Sequence, residues 1–344
     1  MHFNIQAINK ELSEQITHKI NTKTKPLGSL GKLETIAQKI CEIQNTLTPE
    51  LKKPAILVCA GDHGVTEEGV SPFPQEVTFQ MVMNFLGEGA AINVFTRQNN
   101  IKLLVADTGV NFIFKSNDKL IDAKVAHGTK NFAKEVAMSA EQCEQAMKNG
   151  ASIVDELHQE GTNIIGFGEM GIGNTTAAAA LLTAYTNCAA IDATGAGTGM
   201  DEKGITHKAA VIEKAVVLHQ DKNTPADILA ALGGFEIATI AGAMLKAAEL
   251  KMVILVDGFI VTSALLAASE INNKVLDYCI FSHKSHEKGH ALMLEHLKAE
   301  PVLDISMRLG EGTGSAIAYP IIQSAVNFFN EMSSFEDAGV SNKD

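Results

Sequence analysis

The segment Asn163-Ile164-Ile165-Gly166-Phe167-Gly168-Glu169-Met170-Gly171-Ile172-Gly173-Asn174-Thr175-Thr176 decides the fold. Asn163–Phe167 is nearly continuous in apolar character, as expected of a strand covered by helices on both faces. Glycines recur at short spacing behind it, and the Ala-rich run Thr175–Thr186 reads as a helix. The same alternation extends outward in both directions. Strands are predicted at Ala55–Cys59, Lys102–Ala106, Met252–Val256 and Tyr278–Phe281, and helices at Lys208–His219, Pro225–Leu232 and Gly289–Leu297. Thr224-Pro225-Ala226-Asp227 marks a helix start, with Thr as N-cap and Pro at the first helical position. Alternating βα units imply an α/β chain with a doubly wound, mostly parallel, Rossmann-like sheet.

The chain ends differ from this body. Residues 1–50 are polar and helical around Lys25-Pro26-Leu27-Gly28-Ser29-Leu30-Gly31, and helical character returns after Pro320. The expected organisation is an α/β domain over 51–319 and a small helical lobe built from 1–50 and 320–344, with 333–344 as a partly ordered tail.

Bulk properties narrow the function. The 344 residues carry a formal charge of -12, which argues against a nucleic-acid partner, since phosphodiester binding rests on clustered Lys and Arg. With no Trp and three Tyr there are few stacking platforms for bases. Five widely spaced cysteines and no Cys-x-x-Cys fit a reduced, cytoplasmic setting. The start Met1-His2-Phe3-Asn4 has no signal-peptide character. The most apolar run, 253–268, is broken by Asp257-Gly258 and falls short of the ~18–20 residues of a membrane span, so neither a membrane nor nucleic acid is expected as partner.

The unusual residues sit where strands end, which is where open α/β sheets bind ligands. Gly61-Asp62-His63-Gly64-Val65 follows the first strand, as either a hydrogen-bonded turn or part of a site. Gly166-Phe167-Gly168-Glu169-Met170-Gly171 formally matches the dinucleotide fingerprint, with Asp192 about 20 residues on, so a nicotinamide-dependent dehydrogenase is one reading. Glu169 opposes it by placing negative charge in the turn. The following Gly171-Ile172-Gly173-Asn174-Thr175-Thr176 suits one phosphate at a helix N-terminus better than a pyrophosphate. Gly195-Ala196-Gly197-Thr198-Gly199 repeats the glycine theme, and Lys208 could neutralise an anion held there. Asp257-Gly258 closes a further strand, either accepting sugar hydroxyls or capping a helix. The three histidines of Ser282–His290 lack the spacing of a His-Glu-x-x-His helix, so hydrogen bonding near a ligand is expected rather than a metal site.

Arg308-Leu309-Gly310-Glu311-Gly312-Thr313-Gly314 places one carboxylate among glycines whose bare N–H groups suit an anion. A loop built only for phosphate would avoid that charge. Glu311 therefore reads as a general base facing another part of the ligand.

Taken in order, Lys25–Gly31, Gly61–Val65, Gly168–Thr176, the Ser-His-x-Ser-x-Glu-x-Gly-His run at 282–290 and Arg308–Gly314 resemble the nicotinate-nucleotide:dimethylbenzimidazole phosphoribosyltransferases over roughly residues 20–340. The resemblance implies a homodimer with a parallel α/β domain and a small helical lobe. It also implies transfer of phosphoribose from nicotinate mononucleotide to 5,6-dimethylbenzimidazole, yielding α-ribazole 5′-phosphate and nicotinate for the cobalamin lower ligand. No metal or organic cofactor is implied. By resemblance Glu311 is the catalytic base and Glu169 a supporting carboxylate. Ser71, Gln80, Met170 and Leu309 would line the benzimidazole pocket. Gly173, Asn174, Gly195, Gly197 and Lys208 would hold the phosphate end, and Asp257, Gly258 and Ser285 the ribose or nicotinate, with Gly310 and Gly312 also among the phosphate, ribose or nicotinate contacts. Three classes stay in play: the transferase, the dehydrogenase and a non-catalytic nucleotide sensor, for which Glu311 would be superfluous.

Overall fold

Aliphatic runs become buried strands here because helices shield both faces. All seven residues of β1 (Ala55–Gly61) are buried, as is the whole of β5 (Val253–Val256). The remaining strands are β2 (Lys102–Gly109), β3 (Leu120–Asp122), β4 (Ile164–Met170) and β6 (Cys279–Phe281). A computed structural model describes residues 2–197 and 199–341. Its single sheet runs in the order β3-β2-β1-β4-β5-β6, and every pairing is parallel. Chain connections leave in opposite directions from β1 and β4, so their carboxyl ends border the crevice where such sheets bind ligands.

The fold class is the one the sequence predicts, with longer elements. β4 continues through Glu169 and Met170, which pair with Cys59 and Ala60 of β1. Glu169 therefore lies on the strand rather than inside the turn. The helix predicted from Lys208 starts at Glu202, where the Asp201 side chain accepts from Gly204 N–H. The Thr224 cap forms as read, its hydroxyl accepting from Asp227 N–H. β3 escaped sequence reading because its three residues, none of them buried, lie at a sheet edge.

Helices Phe235–Glu249 and Phe259–Ile271 also escaped it. Their hydrophobic residues run all round the helix, as befits elements packed on several sides. The first crosses helix Ala140–Gln159 with backbones nearly touching. A Cβ on Gly150 would stand 1.9 Å from the Thr239 carbonyl oxygen, and one on Gly242 would stand 2.2 Å from that of Met147.

The chain ends meet each other. Helices Ser13–Asn21 and Lys32–Gln44 bury Ile16, Ile20 and Ile40 in the same hydrophobic cluster as the sheet. Lys23 forms an antiparallel bridge with Ser334. The helix expected after Pro320 begins earlier and runs Thr313–Glu331 through that proline, so a boundary at 319/320 cuts it. The expected tail contains a helical turn, Phe335–Ala338, capped by Ser334; residues 342–344 lie outside the described residues.

Gly150→Ala should destabilise the chain by ~1–3 kcal/mol, because the added methyl forces two helix backbones apart. Urea unfolding of both proteins measures this; an unchanged midpoint would mean the two helices part without cost.

Candidate active site

A cavity of about 700 Å³ opens at the carboxyl ends of the central strands. Glu169 and Met170 from β4, Asp257 and Gly258 after β5, Ser285 and Glu287 after β6, and Met307–Glu311 line it. Its opposite wall is apolar, made by Phe73, Val77, Met81, Ala91 and Phe95. A small recess shares Gly171, Ile172, Asn174, Thr175 and Gly197 with the cavity and adds Ser71, Gly173 and Lys208.

Four buried carboxylates, Glu169, Asp257, Glu287 and Glu311, line this space. Glu311 adopts φ +63°, between Gly310 at +86° and Gly312 at +85°. Three successive left-handed residues make a sharp turn that a glutamate enters only at a cost of roughly 1–2 kcal/mol. Gly312 begins helix Thr313–Glu331, which fixes the turn. Glu311 Oε2 accepts from the backbone N–H of Ile92 at 3.4 Å, and Oε1 has no hydrogen-bond partner among the described residues. Burial raises its carboxyl above the ordinary range; the Ile92 amide opposes this and the Asp257 charge adds to it.

Glu169 accepts from the Asn174 side-chain amide. Its pKa is pushed up to about 8, chiefly by burial and then by the charges of Glu236 and Asp257. At neutral pH it holds its proton. Asp257 Oδ1 accepts from Ser315 N–H at 2.9 Å, while Oδ2 is buried without a partner. Burial raises this carboxyl too, against the nearby His283 and three backbone amides.

The recess is the cationic end. Lys208 is fully buried and donates to Thr175 Oγ1 at 2.6 Å. Burial brings its pKa down to about 8, with Glu287 pulling the other way. A bound dianion there would restore its full charge. Gly197 adopts φ +54°, and a Cβ on it would approach Lys208 Nζ to 3.4 Å. Arg308 Nη1 donates to the Gly197 carbonyl at 3.3 Å. Helix Asn174–Thr186 begins beside the recess, with Gly173 as its left-handed N-cap, so its first amides offer an anion site.

A phosphoribosyltransferase family model matches residues 5–340. The chain belongs to this family. It is 54% identical over 340 residues to a protein of Janthinobacterium sp. (strain Marseille), covering 98% of each, and 53% identical over 348 residues to one of Dechloromonas aromatica (strain RCB), covering all of both. Both relatives are named nicotinate-nucleotide–dimethylbenzimidazole phosphoribosyltransferase. Among solved structures, CobT from Thermus thermophilus superposes with a TM-score of 0.94 at 38% identity, over 97% of this chain and all of that one.

Within this phosphoribosyltransferase, most residues singled out from sequence converge. Glu169, Met170, Leu309, Gly310, Glu311, Asp257, Gly258 and Ser285 line the cavity, Gly173 and Lys208 the recess, and Asn174 and Gly197 both. Four do not sit as expected. Gln80 is exposed and outside the cavity lining, because Val77 and Met81 take the inward face of its helix, Glu76–Leu86. Ser71 lines the recess rather than the base pocket. Gly195 lies behind Glu287, whose Oε2 would stand 2.2 Å from a Cβ there. Gly312 is behind the cavity, where a Cβ would meet Ile56 at 2.9 Å.

The dinucleotide fingerprint is also corrected. Gly166 and Gly168 belong to β4, opposite Ile56 and Val58, so no pyrophosphate turn forms there. A Cβ on Gly168 would come within 2.3 Å of the Glu311 carbonyl. Gly168 makes room for the Glu311 turn, and Gly166 lies against Ser315 in the helix that follows it. In the Ser282–His290 run, His290 accepts from Ser285 N–H through Nδ1 and meets Thr262 Oγ1 through Nε2 at 3.0 Å. Burial pulls its pKa down to about 3, so it is a neutral core histidine. Among the described residues no three His, Cys, Asp or Glu converge as a metal site. The apolar wall and Glu287 were missed by sequence reading; the four-residue spacing of Val77 and Met81 was the available signal for the first.

Glu169→Gln should raise stability increasingly between pH 4.5 and about 8, because the folded state retains a proton that the unfolded chain has already released. Urea midpoints across that range test the sign. A gain confined to acid pH would contradict it.

Proposed function

We propose that this chain transfers the phosphoribosyl group of nicotinate mononucleotide to 5,6-dimethylbenzimidazole, giving α-ribazole 5′-phosphate and nicotinate for the cobalamin lower ligand. One observation carries the reading beyond family membership. An apolar-walled cavity ends in a buried carboxylate on one side and opens into a lysine-containing recess at a helix N-terminus on the other. That is the polarity of an uncharged azole meeting a sugar phosphate.

In this reading the glycine amides around Gly173 and Gly197, with Asn174 and Lys208, hold the phosphate. Asp257, Gly258 and Ser285 flank the ribose and its nicotinate. The benzimidazole lies between Met170, Leu309 and the wall of Val77 and Met81. Its unprotonated ring nitrogen attacks the anomeric carbon from the face opposite nicotinate, so configuration inverts. The bond to the pyridinium nitrogen breaks and its electron pair neutralises that ring. Departure therefore needs no general acid. The new C–N bond leaves the azole cationic, and Glu311 accepts the proton of its other nitrogen, discharging it and orienting the attack. Positive charge develops on the ribosyl carbon during transfer, and the Asp257 carboxylate beside it stabilises that charge.

Glu169, protonated at neutral pH, is a hydrogen-bond donor within this arrangement as well as a supporting carboxyl. Helix Lys32–Gln44 of the N-terminal segment braces the helix that Glu311 precedes, and the loops after the strands hold the substrates. The cysteines are unpaired, four of them buried, which supports a reducing cytoplasmic setting. A homodimer completes the proposal, supported by exposed apolar residues such as Ile113 and Leu27.

Incubation with both substrates should release nicotinate and form α-ribazole phosphate. A folded protein without turnover would favour a nucleotide sensor instead. Glu311→Gln should lower kcat by ~10²–10⁴-fold, the usual worth of a positioned base. Lys208→Met should raise the KM for nicotinate mononucleotide by roughly tenfold or more, as expected on losing a charge-assisted phosphate contact. Wild-type kinetics in either variant would remove that residue from the mechanism.

A further inference from the structure

Helix Ala91–Gln98 grips the Glu311 segment at both of its ends. At its start, Ile92 N–H points to Glu311 Oε2 at 3.4 Å. Just past its end, Asn99 Nδ2 donates to the carbonyl of Ala316 at 2.8 Å. That carbonyl is special. Its helical partner would be the N–H of residue 320, and Pro320 has none. A buried carbonyl left without a donor is destabilising, and the asparagine amide replaces the bond that the proline removed.

We propose that Asn99 is a positioning residue for phosphoribosyl transfer. By closing the carbonyl that Pro320 leaves open, it pins helix Ala91–Gln98 along the first turn of helix Thr313–Glu331. Glu311 is thereby held with one oxygen on the Ile92 amide and the other free for the azole N–H. The inference rests on reading Glu311 as the base. The start of the helix is anchored independently, since Asn93 donates to the Phe85 carbonyl and accepts from Ala90 N–H, both at 3.0 Å. Asn99 is the matching tie at the other end. Ala91 and Phe95 of this helix line the cavity, so a tilt would reach the chemistry directly.

The groups that set the charge of Glu311 are few. The Ile92 amide favours the carboxylate, while burial and Asp257 disfavour it, and Glu169 faces the same space. Loosening the helix removes the one favourable contact. The pH at which the base becomes active should then rise.

The decisive experiment is a double-mutant cycle of Asn99→Ala and Pro320→Ala, with wild type and Glu311→Gln assayed alongside. Asn99→Ala should lower kcat by about tenfold or more, leave the KM for nicotinate mononucleotide within about twofold, and move the acid limb of the kcat profile to higher pH. Pro320→Ala restores the missing N–H, which competes with Asn99 for the carbonyl and loosens the tie, so that variant should itself lose kcat and Asn99→Ala should add little to it. Should the single Asn99 variant fail to fold, Asn99→Asp, similar in shape but unable to donate, replaces it, and the Pro320→Ala background still decides. Equal loss in both backgrounds, or a reduced kcat with an unmoved acid limb, would overturn the inference. An inactive wild type or a fully active Glu311→Gln would instead overturn the reading beneath it.

Discussion

The site depends on one close approach: the backbone of Glu311 and Gly312 lies directly on β4 at Gly168. A side chain at 168 would occupy the space of the Glu311 carbonyl, 2.3 Å from where its Cβ would stand. Because that space is empty, a turn arriving from the far end of the chain settles beside Glu169. The same closeness recurs at Gly310, where a Cβ would stand 2.2 Å from Glu169 Oε1. Two acidic side chains from distant parts of the sequence thus share one corner of the cavity. Their shared burial keeps one of them protonated.

This arrangement divides labour by environment rather than by residue type. Glu169 sits deep among other acidic groups and holds its proton near neutrality. Glu311 has an amide donor and a left-handed, glycine-flanked turn that fixes its direction, and it lines the same cavity as the apolar wall. Lys208, fully buried at the opposite end, holds its charge less firmly than an exposed lysine until an anion arrives. Lys208, Arg308 and a helix N-terminus meet at one recess, so an acidic chain offers a local site for an anion despite its overall negative charge.

Much of this was legible in the sequence, for identifiable reasons. Buried parallel strands announce themselves as apolar runs, so β1, β2, β4, β5 and β6 were found, the first three a few residues short at their carboxyl ends and the last two one residue long at their starts. The short edge strand β3 had no such signal. Strand extension mattered most at Glu169, where glycines suggested a turn but pairing with Cys59 kept the residue in the sheet. Local pattern cannot say which helix face turns inward, hence the exchange of Gln80 for Val77 and Met81. Nor can it show what a buried glycine is making room for. Gly195 and Gly312 support their neighbours from behind the cavity, and a glycine-rich sequence alone does not separate that from contact with a ligand.

The left-handed turn at 310–312 has an evolutionary corollary. Gly310 and Gly312 bear their positive φ without penalty, whereas Glu311 at +63° does not. Asparagine or glycine would sit there more comfortably, at the expense of the carboxylate. On the proposal that Glu311 is the base, heat resistance and turnover favour opposite residues at this one position, and a lineage screened for thermal endurance alone would shed its base there first.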